Sequence, residues 1–106
     1  MKKKQAVRKA FRDACLERDG YECCTCGEPQ FEDNLEVHHI TDRNELKDEF
    51  KYVPENGITL CNPCHQKAEK FHQTGGEDWE DGYHPDTLYT IIISPWSVDS
   101  IEKYRI

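Results

Sequence analysis

Two Cys-x-x-Cys pairs, Cys23/Cys26 and Cys61/Cys64, enclose a histidine doublet, His38 and His39, and abut His65. Zinc takes four soft or borderline ligands in a tetrahedron, and a Cys-x-x-Cys turn presents two thiolates to one ion without straining the backbone. Two such turns complete one structural Zn2+ site. The interval from Gly27 to Leu60 is longer than that of a simple zinc ribbon, so the knuckles bracket an insert that carries both members of the doublet. Because four cysteines already satisfy the tetrahedron, His65 is available for separate chemistry. Cys24 sits inside the first knuckle and Cys15 on the first helix; neither is assigned to the metal.

The elements that must position these groups can be read from the flanking patterns. Val7, Ala10, Phe11 and Ala14 stand at i, i+3, i+4 and i+7, predicting an N-terminal helix that Gly20 can end. On an adjacent line, Lys4, Arg8 and Arg12 are candidate phosphate contacts, while Lys9 pairs with Asp13 one turn on; a merely solvated helix face is the competing reading. Gly27-Glu28-Pro29 signals a turn. Leu35 to Ile40 reads as a short strand, Thr41 to Glu55 as an extended polar surface loop, and Asn56-Gly57 as a turn leading into a second strand at Ile58-Thr59-Leu60. Asn62 is positioned to cap, and Pro63 to open, a helix running from Cys64 to about His72. After Gly75-Gly76 comes an acidic segment, then a predicted strand or buried extended segment from Thr87 to Ser94, ended by Pro95, and a short final helix capped by Ser97 and running to about Arg105.

Composition limits the classes to consider. At 106 residues the chain is read as one domain, residues 1–106, small enough to need a metal staple. Apparent binding energies of ~10–16 kcal/mol are typical of structural zinc peptides, comparable to the whole stability of such a domain. Arg8, Lys9, Arg12 and Asp13 interrupt every apolar window near the start, so neither a signal peptide nor a membrane span is expected. That reading makes the chain cytoplasmic, where paired Cys-x-x-Cys spacing favours metal over disulfide. Residues 1–18 carry seven Lys/Arg against Asp13 and Glu17, whereas the remainder carries seven against nineteen, giving −7 in total. The basic start is therefore the obvious anionic-ligand patch on an acidic protein.

The succession Arg18-Asp19-Gly20-Tyr21-Glu22-Cys23, Cys26-Gly27, Val37-His38-His39-Ile40, Asn56-Gly57-Ile58-Thr59-Leu60-Cys61 and Cys64-His65 resembles the HNH endonucleases. The likeness covers roughly residues 18–72, leaving 73–106 as an extension. It implies a small α+β fold of the ββα-metal (His-Me finger) type, zinc-stabilised, with an N-terminal helix and a C-terminal strand and helix added. It also implies a metal-dependent DNA endonuclease of the small phage or bacterial kind, a monomer or homodimer, with phage packaging machinery as a conceivable protein partner.

By the same resemblance His39 is the general base, Asn56 holds the loop so that this base is aimed and touches the phosphate, and His38 and His65 bind one catalytic divalent metal. His38 stands where many relatives have aspartate, which favours Mn2+, Ni2+, Co2+ or Zn2+ beside Mg2+. Strand alternation sends neighbours to opposite faces, so His38 pointing into the core is the alternative. For Asn56 the alternative is an ordinary Asn-Gly turn. Glu69, four residues after His65 and on its helix face, is a further ligand, an orienting group for His65, or a partner for a surface lysine. His72 lies roughly 10 Å further along the axis, too far to share the ion.

Phosphodiester hydrolysis needs a base for water and a cation for the charge of the transition state, and these residues are of the right types. The implied outcome is single-strand nicking that leaves 5′-phosphate and 3′-hydroxyl ends. A non-catalytic zinc module that binds nucleic acid or protein is the main alternative, but it leaves the order His39, Asn56, His65 unexplained. The same site would also suit RNA.

Overall fold

The computed structural model describes residues 2–27 and 31–106; the turn expected at Gly27-Glu28-Pro29 falls largely outside them. Helix α1 (Lys2–Arg18) leads through the first knuckle to strand β1 (Leu35–His39). A polar loop follows, then strand β2 (Gly57–Cys61), helix α2 (Asn62–Gln73) and helix α3 (Pro85–Ile91). The strands pair antiparallel, with Leu35 opposite Cys61 and His39 opposite Gly57. Helix α1 packs on one side of this ribbon and α2 on the other. A strand covered on both faces has no solvent side, and every residue of β2 is accordingly buried.

Helix α1 ends where its glycine allows. Gly20 takes φ 67°, and the Tyr21 amide reaches back to the Leu16 carbonyl at 3.0 Å, satisfying an end carbonyl. The buried stripe differs from the one read in the sequence: Val7 is 49% exposed, whereas Phe11, Cys15 and Leu16 carry the contact. The ribbon is short, so only the C-terminal half of α1 has something to pack against.

Gly57 is not the turn residue that the Asn-Gly pair suggested. Its φ of −124° is ordinary extended backbone, and the chain reverses instead across a loop of three 3-10 turns, Arg43–Glu45, Asp48–Phe50 and Pro54–Asn56. Glycine is required here by close approach: a Cβ would lie 2.6 Å from Phe11 Cζ and 2.7 Å from Cys15 Sγ. The loop is also more than a surface excursion, because Leu46 is fully buried and bridges to Arg105.

Three further expectations are corrected. Asn62 is the first residue of α2 rather than its cap, which is Cys61, with Pro63 in the first turn as expected. Residues 87–94 form no strand; the segment is α3, opened by Pro85 and capped by His84, whose side chain accepts from the Asp86 amide. The three isoleucines suggested extension, but Leu88, Tyr89 and Ile92 form the inward stripe, while Ile91 and Ile93 are exposed. The final short turn is the 3-10 helix Ser100–Tyr104, whose N-cap is Asp99 rather than Ser97; Ser97 Oγ still accepts from the Ser100 amide at 3.1 Å. This extension packs on the domain: the Lys47 amide donates to the Tyr104 carbonyl at 2.9 Å, and Trp96 is stacked on Tyr104. Among the described residues no helix is long and apolar enough to cross a membrane.

Candidate metal centre and catalytic cleft

The sulfurs of Cys23, Cys26, Cys61 and Cys64 lie within 4.8 Å of one another. Cys26 Sγ and Cys61 Sγ are 3.9 Å apart. A tetrahedral zinc with Zn–S bonds of about 2.3 Å places its sulfurs about 3.8 Å apart, so the cluster fits that ion. The knuckle is registered against the sheet by the Cys24 amide, which donates to the Thr59 carbonyl at 3.0 Å. Cys24 is thus a backbone tie, and Cys15 is a buried thiol whose pKa desolvation pushes up to about 11.

A second group of donors gathers between β1 and α2: His38, His65 and Glu69. Glu69 Oε1 lies 3.2 Å from His38 Nδ1 and 3.0 Å from His65 Nε2. Two imidazoles on one carboxylate hold Glu69 well below the usual carboxylate range. His38 is 1% exposed, and burial pushes its pKa down despite the carboxylate. His65 is raised, chiefly by Glu69 and further by Glu36. Two neutral-capable imidazoles and a carboxylate form a mixed nitrogen and oxygen donor set suited to a first-row divalent ion.

His39 faces the other way, as strand alternation requires. Its ring stacks on Phe11 with centroids 4.8 Å apart, and its Nε2 donates to the Lys51 carbonyl at 2.9 Å. Desolvation lowers its pKa to about 4, which keeps the ring neutral at physiological pH. The two faces nevertheless serve one cleft. Among the described residues the ribbon has two strands, and an open cleft of about 290 Å³ is lined by His39, His65, Glu69 and His72 together with Asp42 and Arg43.

Asn56 is wholly buried, so the phosphate contact expected of it finds no exposed surface. Its side chain instead closes the loop: Oδ1 accepts from the Thr41 amide and Nδ2 donates to the Thr41 carbonyl, both at 2.9 Å. Asn56 thus ties the end of the loop to its beginning. Arg12 is likewise engaged elsewhere, its guanidinium donating to the carbonyls of Leu35 and Glu32. Arg8 uses Nε on Tyr52 Oη at 2.9 Å. With Lys4, Arg43 and Lys51, it lines a groove of about 480 Å³ that shares Arg43 and Asn44 with the cleft.

Several contributors escaped the sequence reading. Glu36 contacts His65 Nδ1; it is two residues before His38 and hence on the same strand face, a signal that was available. His72 Nε2 donates to the His39 carbonyl at 2.9 Å, and its ring stacks on His38. It stands outside the donor group, as the helix rise implied, but supports it. Arg43 and Lys51 gave no local signal, because loop closure alone brings them here, and Tyr89 reaches Asn56 only through the packing of α3.

Among the described residues the chain is thus a small α+β unit of two antiparallel strands and three α-helices, with four clustered cysteines that suit zinc and a separate His-His-Glu donor group. Residues 23–71, from the first knuckle into α2, match the family model for HNH endonuclease, a family whose members are generally nucleases acting on nucleic acid. No match was found among curated proteins or among solved structures.

Proposed function

We propose that the protein is a metal-dependent DNA endonuclease that hydrolyses phosphodiester bonds at a single ββα site, nicking one strand and leaving 5′-phosphate and 3′-hydroxyl ends. The observation that carries this reading is the hydrogen bond from His39 Nε2 to the Lys51 carbonyl. A carbonyl only accepts, so the proton is on Nε2 and Nδ1 is the basic nitrogen. A neutral imidazole of fixed orientation, on a residue that lines the same cleft as His65 and Glu69, is what a general base for water requires.

His38, His65 and Glu69 would hold the catalytic cation, Mg2+, Mn2+, Ni2+, Co2+ or Zn2+, with Glu36 fixing the ring of His65. Bound there, such an ion supplies positive charge to the phosphorane-like transition state and the departing 3′ oxygen. His39 accepts the proton of the attacking water at Nδ1. His72 holds the His39 carbonyl and Asn56 holds the backbone of Ile40 and Thr41 just after it. The groove formed by Lys4, Arg8, Arg43 and Lys51 carries the flanking phosphates into the cleft. Arg12 is left out of that path.

A supercoiled-plasmid nicking assay with Mg2+, Mn2+, Ni2+ or EDTA tests this, comparing the native chain with His39→Ala at equal zinc content. Metal-dependent nicking that falls 10²- to 10⁴-fold in the variant is expected. Nicking by His39→Ala at the native rate would overturn the base assignment, and no cleavage of DNA by native protein with any ion would overturn the activity.

A further inference from the structure

The segment after residue 71 lies outside the family match, yet it sends Leu88, Tyr89, Trp96 and Ile101 into the core, and one of these side chains bears a hydroxyl. Tyr89, on α3, is 2% exposed and donates its hydroxyl proton to Asn56 Oδ1 at 2.6 Å. That single proton is then committed, so Thr41 Oγ1 must be the donor in its 2.7 Å contact with Tyr89 Oη. Asn56 Oδ1 thus takes two donors, the Thr41 amide and the Tyr89 hydroxyl, and its Nδ2 is bound as well. Thr41, Asn56 and Tyr89 are all buried, and a buried network in which each of these side-chain polar atoms has a partner favours one geometry.

What the network fixes is the loop that aims His39. Thr41 and Asn56 are the loop's two ends, joined also by the Ile40 amide donating to the Asn56 carbonyl at 3.0 Å. Lys51, whose carbonyl receives the His39 proton, lies between them. We propose that Tyr89 is a positioning residue of the nuclease site, and that α3 is part of the catalytic unit because it supplies the hydroxyl that locks Asn56. The chain of contacts runs from Tyr89 to Asn56, from Asn56 to the loop, and from the loop carbonyl to the His39 ring. For its catalytic consequence the inference rests on the nuclease reading; for its structural consequence it does not.

Tyr89→Phe keeps the ring and removes the hydroxyl, leaving Asn56 Oδ1 with one donor and the Thr41 hydroxyl without its acceptor. Two readouts are taken well below the unfolding transition. In a long-range proton–nitrogen NMR spectrum of the zinc-loaded protein, His39 is expected as the pure Nε2–H tautomer in the native chain and as a mixture in the variant. In the nicking assay, kcat is expected to fall at least tenfold with KM within twofold, and the double variant with Asn56→Ala should be no slower than Asn56→Ala alone. Should Tyr89→Phe not fold, Thr41→Val, which removes the second partner of the Tyr89 hydroxyl, is read in the same two ways. An unchanged His39 tautomer or an unchanged kcat in the folded variant overturns the inference. Absence of nicking by the native chain strikes the nuclease reading instead, and the tautomer measurement then decides the positioning claim by itself.

Discussion

His39 Nε2 donates to the carbonyl oxygen of Lys51, twelve residues on in the chain, at 2.9 Å. The contact does two things at once: it selects the tautomer and fixes the ring on a loop rather than on the strand that bears it. His39→Gln separates these effects, since the amide nitrogen can still donate to Lys51 but offers no basic nitrogen. The variant is expected to unfold within about 1 kcal/mol of the native protein and to lose 10²- to 10⁴-fold in nicking rate, measured by urea denaturation and plasmid conversion.

Glu36 touches His65 on the nitrogen opposite Glu69. Carboxylates that orient a ligating imidazole are typically worth 10- to 100-fold in metal affinity. Glu36→Gln is therefore expected to weaken Mn2+ or Ni2+ binding by that factor in calorimetric titration while the tightly held zinc, counted by metal analysis, stays at one per chain.

Removal of the structural zinc should unfold the domain. The staple joins the first knuckle to the end of β2 and the start of α2, and its expected contribution of ~10–16 kcal/mol is as large as the whole stability of a domain this size, about 5–15 kcal/mol. A strong chelator is expected to abolish the far-ultraviolet helical signal, and added zinc to restore it. A protein that stays helical without zinc would refute this.

Gly57→Ala places a methyl group against Phe11 and Cys15, where less than 3 Å is available. Overpacking of this kind costs about 1–3 kcal/mol. The variant is expected to show that loss in denaturant unfolding, and Cys15→Ala in the same chain should recover part of it by opening the space the methyl needs.

Cys15 links stability to alkaline pH. Burial pushes its thiol up to about 11 from an ordinary value near 9, so between these values the folded chain keeps a proton that the unfolded chain has released. Stability attributable to this group is therefore complete below about pH 9 and is lost as pH rises towards 11. Cys15→Ala is expected to flatten that part of the stability profile relative to the native protein, and its thiol in the native fold to resist iodoacetamide at pH 8.

The portion of the fold that repeats with the backbone was legible in the chain. Both strands, α1 and α2 announce themselves through local spacing and through Pro63 and Gly20, because those signals act within a few residues. The strand expected at residues 87–94 misled for the same reason: three consecutive isoleucines favour extension locally, but Pro85, His84 and the inward stripe of Leu88, Tyr89 and Ile92 prevailed once there was a surface to pack on. Asn56-Gly57 misled in the opposite sense, since glycine answers a close approach from α1 that sequence spacing does not contain.

By itself the sequence determined the chemistry available: four thiolates at knuckle spacing, a histidine doublet, and His65 with Glu69 one helical turn later. Ligand type and i,i+4 spacing are local properties, and they survive into the structure as two donor clusters. Only the tertiary structure decided what each group does. It turned His38 towards Glu69 and His39 towards Lys51, tied the Arg12 guanidinium to the Leu35 and Glu32 carbonyls, buried Asn56 and brought Tyr89 to it from beyond residues 23–71. Those outcomes depend on which desolvated polar atoms meet across long chain separations, and a buried donor accepts whichever partner the packing delivers.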